Sequence, residues 1–125
     1  MLHANDRDHE RCREFLETTT ETLVVPSSVI VEVCQLAERL GGPDHEVAFL
    51  RSFIAKEMII ESVEVQDFER ISELIGQYAD FPLGMVDASV IALAERLGVS
   101  DVATLDHRHF SAVRPRHVEA FNLLP

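Results

Sequence analysis

The sequence predicts an α/β domain, with a parallel sheet covered by helices on both faces. Short β-rich runs, TLVVP, MIIESV and DVATLD, alternate with longer segments of helical periodicity. Strands separated by helices are joined by crossovers, and crossover connections make strands parallel. The borders are punctuated by Gly41-Gly42-Pro43 and by Gly98, residues that end helices or cannot continue them. At 125 residues the chain reads as one domain, long enough to bury a core without disulfide or metal staples. No stretch reads as a linker, a repeat or a low-complexity tract.

In chain order, Asp8 to Glu17 is expected to be a helix with Cys12, Phe15 and Leu16 inward, capped by Asp6 or Asp8. TLVVP is a short strand closed by proline. Ser27 or Ser28 is the expected cap of the next helix, SVIVEVCQLAERL, which stops at Gly41-Gly42-Pro43. A further helix is expected from Asp44 to Glu57, carrying Val47, Phe49, Leu50, Phe53 and Ile54. The strand MIIESV follows, then a helix from about Gln66 to Tyr78. After the turn DFPLG comes a helix to Leu97 that contains Asp87, then the strand DVATLD with Asp106 at its end. A helical turn, HRHFSAV, leads through Arg114-Pro115-Arg116 to a last apolar run, FNLLP.

The formal net charge is -11, which argues against a general nucleic-acid binder, since such proteins neutralise phosphates with Lys and Arg. Two routes to a phosphate remain open. Acids gathered at one place bind a divalent cation that then meets phosphate, and a local basic strip survives a negative total. No apolar run reaches the roughly 20 residues of a membrane helix, and the N-terminus MLHANDRDHE lacks a signal-peptide pattern, so a cytoplasmic protein is expected. Cys12 and Cys34 lie in helical patterns without metal spacing and read as buried free thiols.

Asp87 is the least expected of the acids. It stands at the front of GMVDASVIALAE, and the positions sharing its side of a helix are Val90, Ile91 and Ala94, while Ser89 and Arg96 point the other way. A carboxylate on an apolar face needs a cation or several hydrogen-bond donors. The plain alternative is the helix itself, whose first turn offers free N–H groups and the positive end of the dipole. Glu32 is the sole charge in the run Val29 to Cys34, yet Ser28, Glu32, Gln35 and Arg39 line up as a stripe that could simply face solvent. Asp106 shares its strand side with Thr104 and, alone, would serve equally well as an N-cap.

Together the acids say more. Glu32 follows a strand by two helical turns, Asp106 ends a strand and Asp87 starts a helix beside that strand, so one end of a parallel sheet could gather all of them. Clustered carboxylates repel unless a proton or cation is shared, and an all-oxygen set suits Mg²⁺ or Mn²⁺, not zinc. His107, His109 and His117 read as solvated or phosphate-facing groups rather than zinc ligands. The strip HRHFSAVRPRH, residues 107–117, holds Arg108, Arg114 and Arg116 without an acid. It is the natural place to meet a nucleic-acid backbone, or else a basic rim that balances local charge.

The segments TLVVPSSVIVEV, PLGMVDASVIALAERLG and ATLDHRHFSAVRP resemble the PIN-domain ribonuclease toxins of the VapC type, in order and over nearly the whole chain. The resemblance implies a PIN-like fold and a Mg²⁺- or Mn²⁺-dependent endoribonuclease, dimeric and neutralised by a VapB-type antitoxin. It implies that Glu32, Asp87 and Asp106 are the family's acids after its first, and that Thr104 orients the last. The family opens with a central strand ending in its leading aspartate, which has no match here, since Asp6 and Asp8 fall in the later loop. The expectation is therefore an aspartate encoded upstream of Met1, with weak or no cleavage by these 125 residues alone. The alternative is a catalytically inactive PIN-like module that docks an antitoxin or partner subunit. A phospho-acceptor receiver domain would need a late lysine, and the only lysine, Lys56, is in the wrong half.

Overall fold

The computed structural model describes Glu14, Phe15 and residues 18–104 and 107–124. The elements run β1 (Leu23–Pro26), α1 (Ser27–Gly41), α2 (Pro43–Ile54), β2 (Met58–Glu61), a 3-10 turn (Val65–Asp67) and α3 (Phe68–Gln77). They continue with α4 (Met85–Leu97), β3 (Asp101–Ala103), α5 (His107–Ala112) and β4 (Asn122–Leu124). The helix expected from Asp8 to Glu17, with Cys12 and Leu16, lies largely outside the described residues; Glu14, Phe15 and Thr18 are helical.

The chain divides into two compact units, one formed by residues 21–93 and the other by the described residues before 21 together with those from 94 onward. In the first unit β1 and β2 pair in parallel, from Leu23 opposite Met58 to Pro26 opposite Glu61. The helices α1 and α2 form the crossover that a parallel pair needs. In the second unit β3 and β4 pair in parallel, Asp101 opposite Asn122 and Ala103 opposite Leu124, with α5 in the connection. Among the described residues the strands thus form two parallel pairs rather than the single sheet expected. Alternating strands and helices announce parallel pairing, but they do not say which strand lies beside which.

The hydrophobic core is concentrated on α4. Ala88, Ser89 and Ile91 are fully buried, and Ala92, Leu93 and Ala94 nearly so, so the helix is covered on almost every side, as an all-round apolar helix must be. Ser89, expected on the side away from the core, is therefore inside it. Ile71 and Leu74 supply the buried stripe of α3. In the second unit Val102 of β3, Phe110 of α5, Val113 and Phe121 are buried.

Helix ends were readable where glycine decides them. Gly42 follows α1 at φ 73°, and its N–H donates to the carbonyl of Glu38 at 2.8 Å. Gly98 follows α4 at φ 69°, where its N–H donates to Glu95 and that of Val99 to Ala94, at 3.2 and 2.9 Å. Both need the left-handed backbone that glycine adopts without steric cost. The start of α1 differs from expectation. Pro26 occupies its N-cap and no side chain caps it; Ser27 and Ser28 spend their hydroxyls elsewhere.

Candidate active site

Asp87 is the third residue of α4, in its first turn. The carbonyl of Gly84 accepts the N–H of Ala88 at 2.9 Å, the bond an N-cap residue makes, so Gly84 and not Asp87 holds the cap position. Asp87 is half-buried, while the residues that follow it are among the most enclosed in the chain. Its carboxylate thus stands at the rim of the core, in the first turn of a helix.

Glu32 is in the second turn of α1 and exposed, as are Gln35 and Arg39 of the same stripe. Exposure suits a solvated stripe and equally a ligand at an open site. One contact ties the starts of these two acid-bearing helices together. Ser28 Oγ lies 2.6 Å from Ser89 Oγ, and Glu32 stands one turn on from Ser28 on the same side of α1. A second anchor holds the start of α1, where Ser27 Oγ accepts the N–H of Val63 at 3.0 Å, just beyond β2.

Thr104 directly follows β3, is half-buried, and donates its N–H to the carbonyl of Leu124 at 2.8 Å. The expected strand DVATLD is therefore shorter, with Ala103 its last residue, because β4 offers only Asn122–Leu124 as a partner. Asp106 lies outside the described residues. Glu32 and Asp87 belong to one unit and Thr104 to the other.

The strip after β3 sorts its residues cleanly. Phe110, Val113 and Pro115 are buried, while Arg108, Arg114 and Arg116 are exposed. Arg114 donates from Nη1 to the carbonyl of Ser111 at 3.0 Å, and the backbone N–H of Arg116 donates to Glu95 Oε2 at 2.8 Å. The apolar residues fix the segment and leave guanidinium groups on the solvent side, where phosphate contacts are made. His117 is not part of that face. It is half-buried against Phe121, with ring centroids 5.9 Å apart, and its Nε2 lies 2.6 Å from the carbonyl of Val99.

Among the described residues no group of three His, Cys, Asp or Glu side chains is placed to hold a metal. By donor type, Glu32, Asp87 and Asp106 fit a hard cation, since all offer carboxylate oxygens. Cys34 is a free, half-buried thiol. Loss of solvent around it, with the Glu46 carboxylate adding, pushes its pKa above the usual cysteine range, which keeps it protonated and unreactive. Sequence reasoning missed the Ser28–Ser89 pair. The available signal was that Ser89 is the only polar side chain between Asp87 and Glu95 in an otherwise apolar helix.

An α/β fold of short parallel strands with an acid at the head of a buried helix defines the class, and comparison agrees. The chain belongs to the PIN domain family, whose model matches residues 1–114. Among its relatives is Ribonuclease VapC26 of Mycobacterium tuberculosis, 30% identical over 122 residues, which span 98% of this chain and 90% of that protein. The fold is also that of Mycobacterium tuberculosis VapC20, a sarcin-ricin loop cleaving toxin. The two structures superpose with a TM-score of 0.77 at 20% identity, over 94% of this chain and 89% of the other. Among the described residues no helix is long and apolar enough to cross a membrane.

Proposed function

We propose that this chain is a ribonuclease toxin of the VapC type, which hydrolyses RNA phosphodiester bonds with Mg²⁺ or Mn²⁺ and is neutralised by a VapB-type antitoxin. The observation that carries the reading is Asp87, a carboxylate at the rim of the most enclosed helix of a PIN-family chain. In this reading Glu32, Asp87 and Asp106 supply the oxygens that hold the cation, and Thr104 orients Asp106. When bound, the cation stabilises charge on the phosphate oxygens and makes water a better nucleophile. One of the carboxylates takes the proton of the attacking water. Arg108, Arg114 and Arg116 hold flanking phosphates and set the register of the strand without reading its bases.

The partners follow from the α1–α2 hairpin. On α2, Val47, Leu50 and Ile54 recur at i, i+3 and i+7 and are all exposed, Ile54 at 77%. Such a face suits the apolar side of a partner helix, and we assign it to the antitoxin or to a second copy in a homodimer. The exposed apolar side chains of α2 also suit a second reading, an inactive module that keeps only this docking face.

Asp87→Asn tests the choice. Cleavage of RNA in Mg²⁺ or Mn²⁺ is measured on the 125 residues and on a version extended upstream in the reading frame. The variant should lose more than the roughly 10- to 100-fold that follows loss of an outer-shell partner. Retention of full metal-dependent cleavage by Asp87→Asn would falsify the nuclease site.

A further inference from the structure

We propose that the Ser28–Ser89 hydroxyl pair is a positioning clasp that sets the spacing and rotation of the helices bearing Glu32 and Asp87. The proposal rests on the reading that these carboxylates hold a divalent cation. The first turn of α1 begins with two serines, yet its N-cap is Pro26 and no side chain caps it. Both hydroxyls are turned to tertiary contacts instead: Ser27 to the N–H of Val63 at 3.0 Å, and Ser28 to Ser89 at 2.6 Å. A sequence that merely needed a helix start would use such hydroxyls on the free N–H groups of the first turn.

The direction of the clasp can be worked out. Ser89 Oγ donates to the carbonyl of Val86 at 2.6 Å, and a serine has one hydroxyl proton to give. Ser28 is therefore the donor and Ser89 the acceptor. Ser89 has no exposed surface, so its acceptor position is met by Ser28 inside the fold and not by bulk water. The bond to Val86 locks the side chain of Ser89 against its own helix, which makes it a rigid point of attachment.

Its consequence for the acids is geometric. Asp87 and Ser89 are two residues apart, about 200° around a helix of 3.6 residues per turn. The clasp does not touch the carboxylate of Asp87. It fixes the rotation of α4 about its axis, and a helix held on one side presents a fixed position on the other. On α1, Glu32 stands one turn from Ser28 on the same side, so the bond that pins Ser28 also sets how far Glu32 stands from α4. Carboxylates that share a cation must be held to within about half an ångström, and a directional hydrogen bond fixes a helix's rotation in a way that non-directional apolar burial does not.

The test measures Mn²⁺ affinity of the folded chain by electron paramagnetic resonance titration, at a temperature where circular dichroism shows every variant folded. Ser28→Ala and Ser89→Ala should each weaken Mn²⁺ binding about tenfold, in the range of outer-shell partners. The double variant should be no weaker than the weaker single one, since both remove the same bond, and Ser28→Thr, which keeps the hydroxyl, should restore affinity. A purely structural contact would lower the unfolding temperature and leave the Mn²⁺ midpoint in place. If the parent binds Mn²⁺, Asp87→Asn weakens it and the serine variants bind like the parent, the clasp is overturned and the metal reading stands. If neither the 125 residues nor the version extended upstream binds Mn²⁺, or if Asp87→Asn binds as its parent does, the metal reading is overturned and the clasp with it.

Discussion

The helices that carry Glu32 and Asp87 are built in opposite ways. No residue of α1, nor of its hairpin partner α2, is buried, whereas α4 encloses Ala88, Ser89 and Ile91 completely. Both are rich in apolar residues, so composition alone does not separate them. The difference is in use: α4 satisfies its apolar surface within the chain, and the hairpin leaves much of its own exposed. A carboxylate means something different in each setting. On α1 a solvated Glu32 costs nothing, while on α4 the neighbours of Asp87 are committed to the core, and only its place at the helix start keeps it within reach of solvent.

The sharpest way to break this contrast is to truncate both helices alike. Ile91→Ala should cost about 2 to 5 kcal/mol, because it removes a fully buried side chain from a packed site, whereas Leu50→Ala should stay within about 0.5 kcal/mol. Urea unfolding of the two variants decides it. Equal losses would mean that the hairpin is as much a part of the core as α4.

A smaller effect should appear in assembly. Ile54→Asp places a charge on the exposed face of α2 and leaves the fold intact, so it should weaken self-association or antitoxin binding by about 1 to 3 kcal/mol, as loss of an apolar anchor does. Analytical ultracentrifugation over a concentration series, with and without antitoxin, reads the change. Unaltered association in both experiments would move the docking face elsewhere.

How much of this was legible in the sequence can be traced residue by residue. The order of elements, the ends at Gly42 and Gly98 and the apolar character of α4 were readable because each depends on local periodicity or on a backbone angle that glycine accepts. What was not readable depends on partners distant in sequence. Ser27 and Ser28 look like caps, since a serine before an apolar run usually is one, and only the approach of Val63 and Ser89 reveals their other use. By sequence, Phe49 and Phe53 stand with Val47, Leu50 and Ile54 as the apolar residues of one helix. The structure splits the group: the two rings pack edge to face at 5.2 Å and are half-buried, while the aliphatic residues stay exposed. His117 belongs by sequence to the basic strip, but its contacts with the Val99 carbonyl and the Phe121 ring hold it inward. Of the candidate acids, residue type and helical position were legible, but Asp106 lies outside the described residues.

Weaker still should be the effect of the arginines, which sit on the solvent side of buried Phe110 and Val113. Arg108→Ala or Arg116→Ala should lower RNA affinity about evenly across sequences and reduce the slope of log K against log salt by about one. Filter binding at several salt concentrations measures it, and unchanged slopes in both variants would exclude the strip as the RNA face.

The least effect, and the one that bears most directly on the contrast between the helices, is on the stability of α4 itself. Asp87 follows Gly84 by three residues and is not the cap; as an acid in the first turn it gains about 0.3 to 1 kcal/mol from the dipole. If Glu32, Asp87 and Asp106 are gathered, their repulsion without metal opposes that gain. Asp87→Asn removes both terms at nearly constant size, so the metal-free variant should be as stable as the parent or slightly more so. Added Mn²⁺ should then raise the unfolding temperature of the parent and leave that of the variant where it was, because a ligand stabilises only the state that binds it. Were the dipole its whole role, the variant would be destabilised by about 0.3 to 1 kcal/mol, and Mn²⁺ would shift neither curve. Thermal unfolding of the two proteins with and without Mn²⁺ therefore separates an acid kept for its helix from one kept for a cation.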